Sequence, residues 1–282
     1  MTTIIHGATG AQGAPVVAAL LARGQSPIAA VRTPASYSGP AEAIAVDLSS
    51  VDSLAEAYTG ADAIFAHLPI GPMELQRQHA ETIVEAVRRA RPARVVVSTS
   101  GYPFGAPAGE ETPIDTLVNG LRTTGVSVAI VAPKLYLENL LLPVVTAGIE
   151  AEAILRYPIR DDYRVSWSSH LDVADVVARL IADPEVTGVI EVGALPGLLG
   201  NDLAAGFSEH SGKTVTFEAQ SPDDFLRAII PLFGEASATP VVDSYRWRAT
   251  QPEELISSET SAQSLLNLQP RSVAAWLKDI SA

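Results

Sequence analysis

The stretch that most constrains this chain is Gly7-Ala8-Thr9-Gly10-Ala11-Gln12-Gly13. A short apolar run, Thr2 to His6, precedes it, and an amphipathic run, Ala14 to Ala22, follows. That succession reads as strand, glycine loop and helix. Gly7 permits a tight turn, because only glycine takes positive φ without a steric cost. Gly10 lets the backbone approach a diphosphate closely, and Gly13 lets the helix pack tightly on the strand. The helix then offers unpaired N–H groups and the positive end of its dipole to the anion. Gly7, Thr9, Gly10, Ala11, Gln12 and Gly13 are therefore candidate dinucleotide-binding residues. The alternative is a glycine-rich turn that binds nothing.

Apolar runs and helical patterns keep alternating beyond this loop. Strands are expected at Pro27–Val31, Ala43–Val46, Ala63–Leu68, Arg94–Ser98 and Ser127–Val131, and helices at Val51–Tyr58, Met73–Arg91 and Pro113–Thr123. Ala63–Leu68 is apolar throughout except for His67, the mark of a strand buried on both faces of a parallel sheet. The expected fold class is α/β: a Rossmann-type doubly wound parallel sheet with a smaller C-terminal α/β substrate-covering part. Residues 1–150 would form the dinucleotide-binding domain. Residues 151–282 would form mostly the substrate-binding part, with 171–193 returning to the first sheet. In that second half Arg164–Trp167, Gly188–Val192 and Thr214–Glu218 read as strands. Leu171–Ile181, Asn201–Glu209, Pro222–Ile230 and Arg271–Ile280 read as helices, and Gly234–Thr250 gives no regular signal. Thr99–Gly109 is rich in Gly, Pro and Ser and reads as a loop at the cofactor edge.

The second strand runs into Arg32-Thr33, with no acid nearby. An NAD site places Asp or Glu here for the ribose 2′-hydroxyl. A guanidinium instead suits a 2′-phosphate, through charge-assisted hydrogen bonds. NADPH is therefore expected in preference to NADH, unless Arg32 is a solvated surface residue. Asp47 and Leu48 close the third strand, where an adenine edge would be held. His67 and Leu68 close the fourth on the ligand side. His67 either contacts the nicotinamide ribose or substrate, or is a partly buried histidine with a local hydrogen bond.

Composition excludes several classes. Of 282 residues, 47% are hydrophobic and 18% charged, which suits a packed globular protein. A net charge of −13 without a Lys/Arg cluster argues against nucleic acid and anionic membrane as partners. The absence of cysteine removes disulfides, cysteine nucleophiles and thiolate metal sites. His6, His67, His79, His170 and His210 show no HxxxH or HxH spacing, so no metal is expected. Neither a signal-peptide pattern nor a membrane-length apolar run is present, so a cytoplasmic location is expected.

The Gly7–Gly13 loop, Ala30-Val31-Arg32, Val46-Asp47-Leu48, Val97-Ser98-Thr99-Ser100 and Ala132-Pro133-Lys134-Leu135-Tyr136-Leu137-Glu138-Asn139-Leu140 together resemble the NmrA-like branch of atypical short-chain dehydrogenases. The resemblance covers the first two-thirds of the chain best. Asn201-Asp202-Leu203 and Ser211-Gly212-Lys213-Thr214-Val215 extend it. That family includes NADPH-dependent quinone reductases and redox-sensing regulators, and the resemblance implies a dinucleotide site that reaches Pro133. Its members usually carry Arg before that proline; this chain has Ala132 there and Lys134 after it.

Most short-chain dehydrogenases protonate a carbonyl with a Tyr-x-x-x-Lys pair. Here Tyr136 is followed four places later by Leu140, and Tyr102 by Ala106. The expected helix at Pro113 contains neither Tyr nor Lys. Quinone reduction escapes this requirement, because hydride transfer gives a stabilised hydroquinone anion that water can protonate. The protein then mainly orients nicotinamide against substrate. Ser100, Tyr102, Lys134 and Tyr136 are the candidate catalytic residues, with Asn139 a further polar group. Lys134 or Tyr136 would donate to a developing oxyanion, or each is a structural hydrogen-bonder. Trp167, Trp247, Phe104, Phe225 and Phe233 line an aromatic pocket or belong to the core. No Gly-x-Ser-x-Gly elbow is present.

The expected function is an NADPH-dependent oxidoreductase that transfers hydride to a quinone or conjugated carbonyl of a small aromatic metabolite. The alternatives are an NADP-sensing regulator without catalysis and an NADPH-using tailoring oxygenase on a polyketide-like ring. The expected partner is a small aromatic or quinone substrate, and a homodimer is the candidate assembly.

Overall fold

Strands this apolar need cover on both faces, and in the computed structural model seven of them form one parallel sheet. The structure describes residues 1–107 and 109–281; Ala108, inside the expected Thr99–Gly109 loop, lies outside the described residues. In chain order the elements are β1 (Thr2–His6), α1 (Gly13–Ala22), β2 (Ser26–Val31), β3 (Glu42–Ala45), α2 (Val51–Tyr58), β4 (Ala63–Ala66), α3 (Met73–Ala90), β5 (Arg94–Ser98), α4 (Pro113–Arg122) and β6 (Ser127–Pro133). There follow α5 (Pro143–Glu152), β7 (Ile154–Tyr157), β8 (Arg164–Val165), α6 (His170–Ala182), β9 (Gly188–Val192), α7 (Gly200–Ser211), β10 (Thr216–Ala219), α8 (Pro222–Phe233), α9 (Glu235–Thr250), β11 (Glu253–Glu254), α10 (Ala262–Leu266) and α11 (Val273–Ile280).

The sheet order is β3-β2-β1-β4-β5-β6-β9. Its direction of growth reverses between β1 and β4. In such sheets the crevice outside the carboxyl ends at that reversal is where ligands bind. The register sets Ile4 beside Ile64 and Ile5 beside Phe65. Ile4, Ile64, Val95 and Ile130 share a core with Ile83, Val84 and Val87 of α3 and Leu117, Val118 and Leu121 of α4. The helices bury these faces because their apolar residues recur at three- and four-residue spacing.

The chain divides into two units. The first is Met1–Pro133, His170–Val192 and Glu259–Leu268, whereas the sequence places the first boundary at residue 150. It holds the seven-stranded sheet. The second is Lys134–Ser169, Gly193–Ser258 and Gln269–Ala282. It contains two short parallel pairs, β10 with β7 and β11 with β8. Its core stacks Tyr157 against Trp167, Phe225 and Tyr245.

Several elements differ from expectation. Gly234–Thr250 is the helix α9 after its first residue, with Pro240 inside it. Its buried stripe is Ala238, Val242, Tyr245 and Arg248, and a small residue plus a charge disguise the period. The strand expected at Ala63–Leu68 stops at Ala66, and the one at Arg164–Trp167 stops at Val165. β6 runs on to Pro133, two residues past expectation. Helix α5 and strand β7 have no counterpart in the sequence reading.

Candidate functional site

At the carboxyl end of β1 the backbone turns through Gly7 with φ +61°. Continuing the β1–β4 register brings this residue beside His67. A Cβ on Gly7 would lie 2.3 Å from His67 Nε2, so both the backbone angle and the neighbour require glycine. The Gly10 N–H donates to Gly7 O at 2.7 Å and closes the turn. A Cβ on Gly13 would meet Gly7 O at 2.3 Å and His6 O at 2.5 Å. Helix α1 therefore starts directly on β1.

The start of α1 is left open. Gln12 occupies its N-cap position but makes no side-chain cap, and the first turn holds no acid. By contrast, Ser50 caps α2 and Thr112 caps α4. Thr9, Gly10 and Ala11 are exposed. The N–H groups of Gly10, Ala14 and Val16 are taken by Gly7 O, Gly10 O and Gln12 O, and Pro15 has none, but those of Thr9, Ala11, Gln12 and Gly13 have no partner among the described residues, so this helix start offers a diphosphate a few unpaired amides and a positive dipole end.

Gln12 is itself buried, and its amide serves the end of β5. The Ser98 hydroxyl donates to Gln12 Oε1 at 2.7 Å, and Gln12 Nε2 donates to Ser100 Oγ at 2.8 Å. The Ser100 N–H donates to Ser98 Oγ at 3.1 Å and completes a ring. Ser100 sits at φ +56°. Nothing in the sequence links position 12 with positions 98 and 100, so this ring is not foreseeable from pattern.

Arg32 is exposed just past β2 and has no hydrogen-bond or ion-pair partner among the described residues. Arg23, Arg88 and Arg89 are each engaged by a carboxylate. An uncommitted guanidinium at this strand end suits a phosphate. Asp47 holds a local turn: its Oδ1 accepts from the Ser49 N–H at 2.8 Å, and its own N–H donates to Ser53 Oγ at 3.0 Å. Leu48 packs against the core and Leu68 is buried within it, so Leu68 leaves only backbone for a ligand.

Three histidines gather at this end of the first unit. His6 Nε2 hydrogen-bonds the Tyr58 hydroxyl at 2.8 Å. Burial, then the neighbouring His67, pushes the His6 pKa down to about 3. Burial and then His67 push His170 down to about 4. Burial also lowers His67, whose Nδ1 lies 3.3 Å from Leu68 O and whose buried Nε2 has no hydrogen-bond partner. All three imidazoles are neutral at pH 7.

The candidate catalytic residues separate by unit. Ser100 and Tyr102 belong to the first, where Tyr102 is exposed and its N–H donates to Thr99 O at 3.0 Å. Pro133 ends β6 in the same unit. Lys134 and Tyr136 belong to the second. Tyr136 bridges to Ser168, flanked by Leu137 N–H to Ser168 O at 2.8 Å and Ser168 N–H to Leu135 O at 2.9 Å. Asn139 hydrogen-bonds Tyr157, whose phenol pairs with that of Tyr245. The five aromatic residues fall in different surroundings. Trp167 and Phe225 are buried in the second unit's core, Phe104 packs on the core of the first, and Phe233 and Trp247 are exposed. Among the described residues no cluster of three or more His, Asp or Glu suits a metal ion. No helix among them is long and apolar enough to cross a membrane.

A model of the NmrA-like family matches residues 1–277. No curated protein matches the chain significantly. The fold is similar to that of triphenylmethane reductase from Citrobacter sp. in complex with NADP(H), at TM-score 0.77, 18% identity and 99% coverage of both chains. It is similar also to an NADPH-dependent quinone oxidoreductase from Escherichia coli complexed with NADPH, at TM-score 0.72, 19% identity and 100% coverage of both. A nucleoside-diphosphate-sugar epimerase from Staphylococcus aureus aligns at TM-score 0.75 and 22% identity, covering 99% of this chain and 100% of the other. At these identities the likeness is one of fold.

Proposed function

This chain belongs to the NmrA-like family, and on that premise we propose that it is an NADPH-dependent oxidoreductase acting on a quinone or conjugated carbonyl of a small aromatic metabolite. The observation that carries this reading is the uncapped start of α1 behind the Gly7–Gly13 turn. The amides of Thr9, Ala11 and Gln12 would bind the diphosphate, with Gly10, whose own N–H closes the turn, permitting its close approach and Gly13 the close helix start. Arg32 would hold the 2′-phosphate, and the lack of an acid after β2 favours NADPH over NADH. Asp47 and Leu48 would border the adenine, and His67, Leu68 and Pro133 the nicotinamide half. The NADP(H) and NADPH complexes of the Citrobacter and Escherichia coli proteins support this choice.

Bound NADPH supplies the hydride. The chain lacks the Tyr-x-x-x-Lys relay, so the acceptor must tolerate its absence. A quinone does, because the anion left by hydride addition is delocalised over the ring and takes its proton from water. The protein's task is then orientation, which brings the reacting atoms into contact. In the first unit, Ser100 and Tyr102 are the groups we assign to the acceptor's oxygens. Calorimetry with NADPH and NADH, followed by NADPH oxidation with a panel of benzoquinones and naphthoquinones, tests the proposal. Binding of neither dinucleotide overturns it. Tight NADPH binding without turnover on any acceptor would instead support a non-catalytic NADP sensor.

A further inference from the structure

The hydrogen-bond ring at the end of β5 fixes the direction of every hydrogen in it. Ser98 is fully buried, so its hydroxyl hydrogen needs an acceptor inside the protein. That acceptor is Gln12 Oε1. Turning the amide over would point Nε2 at Ser98 and leave the Ser98 hydrogen buried without a partner. Burial of Ser98 thus decides which way the Gln12 amide faces. Nε2 must then address Ser100, whose oxygen accepts at 2.8 Å. A hydroxyl that accepts from an amide still carries its own hydrogen. No acceptor for that hydrogen exists among the described residues, and Ser100 is half-buried rather than sealed. Ser100 and Gly101 are also two successive left-handed residues, at φ +56° and +82°, and the ring holds the first of them.

We propose that Gln12 is a positioning residue: through Ser98 and Ser100 it reserves the Ser100 hydroxyl as a hydrogen-bond donor to the oxygen of a bound electron acceptor. The inference rests on the reductase reading above. As hydride leaves NADPH for the acceptor, an electron pair settles on that oxygen and NADP⁺ remains. Ser100 shares its hydrogen with the oxygen and does not transfer it.

The test measures NADPH affinity separately from turnover with a soluble benzoquinone, in wild type, Gln12→Leu, Ser100→Ala and the double variant. Loss of one directed hydrogen bond to developing charge should lower kcat at saturating NADPH about tenfold in each single variant. The NADPH Kd should stay within about threefold. Because Gln12 acts through Ser100, the double variant should be no slower than Ser100→Ala. Ser98→Ala, which frees the amide to turn over, should lower kcat with NADPH affinity unchanged, and it serves if Gln12→Leu does not fold. Multiplying losses in the double variant, full kcat in Ser100→Ala, or a raised NADPH Kd as the main effect of Gln12→Leu would each overturn the assignment. An inert wild-type protein would remove the reductase reading and this inference together. An active one with unaffected variants would remove the inference alone.

Discussion

Substituting alanine for two glycines of the same loop should separate ligand approach from packing. At Gly10 an added Cβ would meet only Gly7 O, at 3.3 Å, and the backbone is not left-handed there. The residue is exposed, so the methyl would project into the space a diphosphate needs. Folding should be little affected: the reduced freedom of the unfolded chain gains about 0.4–1 kcal/mol, offset by the tight contact. Binding should suffer, because a methyl holds the diphosphate off the amides. Losing one or two charge-assisted hydrogen bonds at about 1.5–3 kcal/mol each weakens NADPH binding by about a hundredfold or more. Gly13 behaves in the opposite way. Its Cβ would lie 2.3, 2.4 and 2.5 Å from Gly7 O, Gly7 C and His6 O, all backbone atoms of β1 and its turn. Overpacking costs about 1–3 kcal/mol where side chains can yield. Here α1 must move off the sheet, so Gly13→Ala should cost about 3 kcal/mol or more and lower Tm by roughly 6–12 °C. Thermal unfolding without ligand and calorimetry with NADPH read both quantities. Gly10→Ala that binds NADPH like wild type would refute the placement of the diphosphate. Gly13→Ala with an unchanged Tm would refute the packing argument.

Other consequences are equally direct. Arg32→Ala should weaken NADPH binding about tenfold, a modest figure because the side chain is exposed, and leave NADH binding unchanged; equal losses for both dinucleotides would exclude Arg32 from the 2′-phosphate. Stability should be flat above pH 6.5 and fall below it. His6 and His170 bind protons near 6.5 when unfolded but only near 3 and 4 when folded, so the unfolded state gains protons first. The loss at pH 5 is about 2 kcal/mol per histidine as an upper limit, and equal urea midpoints at pH 5 and 7.5 would contradict it. Arg94 is buried at the start of β5 and donates to Leu180 O, Ser127 Oγ, Pro184 O and Val186 O. Arg94→Met strands those acceptors and should cost about 3 kcal/mol without altering NADPH affinity, as urea unfolding and calorimetry together would reveal.

The sheet was legible because its strands are continuous apolar runs and its first turn is spelled in glycine. The strand ends were less so. Leu68 extends the apolar run, yet pairing stops at Ala66, since hydrophobicity does not register where a ladder ends. In the second unit the signal weakens for a different reason. Helix α9 buries Arg248, and the Arg248–Glu254 ion pair replaces an apolar contact that a periodicity would report. The loop half of the site could be read from local spacing. The Gln12–Ser98–Ser100 ring could not, because its members are 86 and 88 residues apart and are ordinary polar residues singly. His67 illustrates the middle case. Its place at the end of β4 followed from the strand pattern, but its closeness to Gly7 follows only from the register of two non-consecutive strands.

The alternation of segments between the two units bears on how the molecule can be taken apart. The chain changes unit at five points, after residues 133, 169, 192, 258 and 268. A clone that stops after β6 lacks β9, and with it an entire edge of the sheet. Grafting the second unit of a relative onto this first unit would require five matched splices rather than one. Evolution by simple fusion is equally awkward, so new specificities on this scaffold should arise from point changes and loop insertions within an unbroken reading frame.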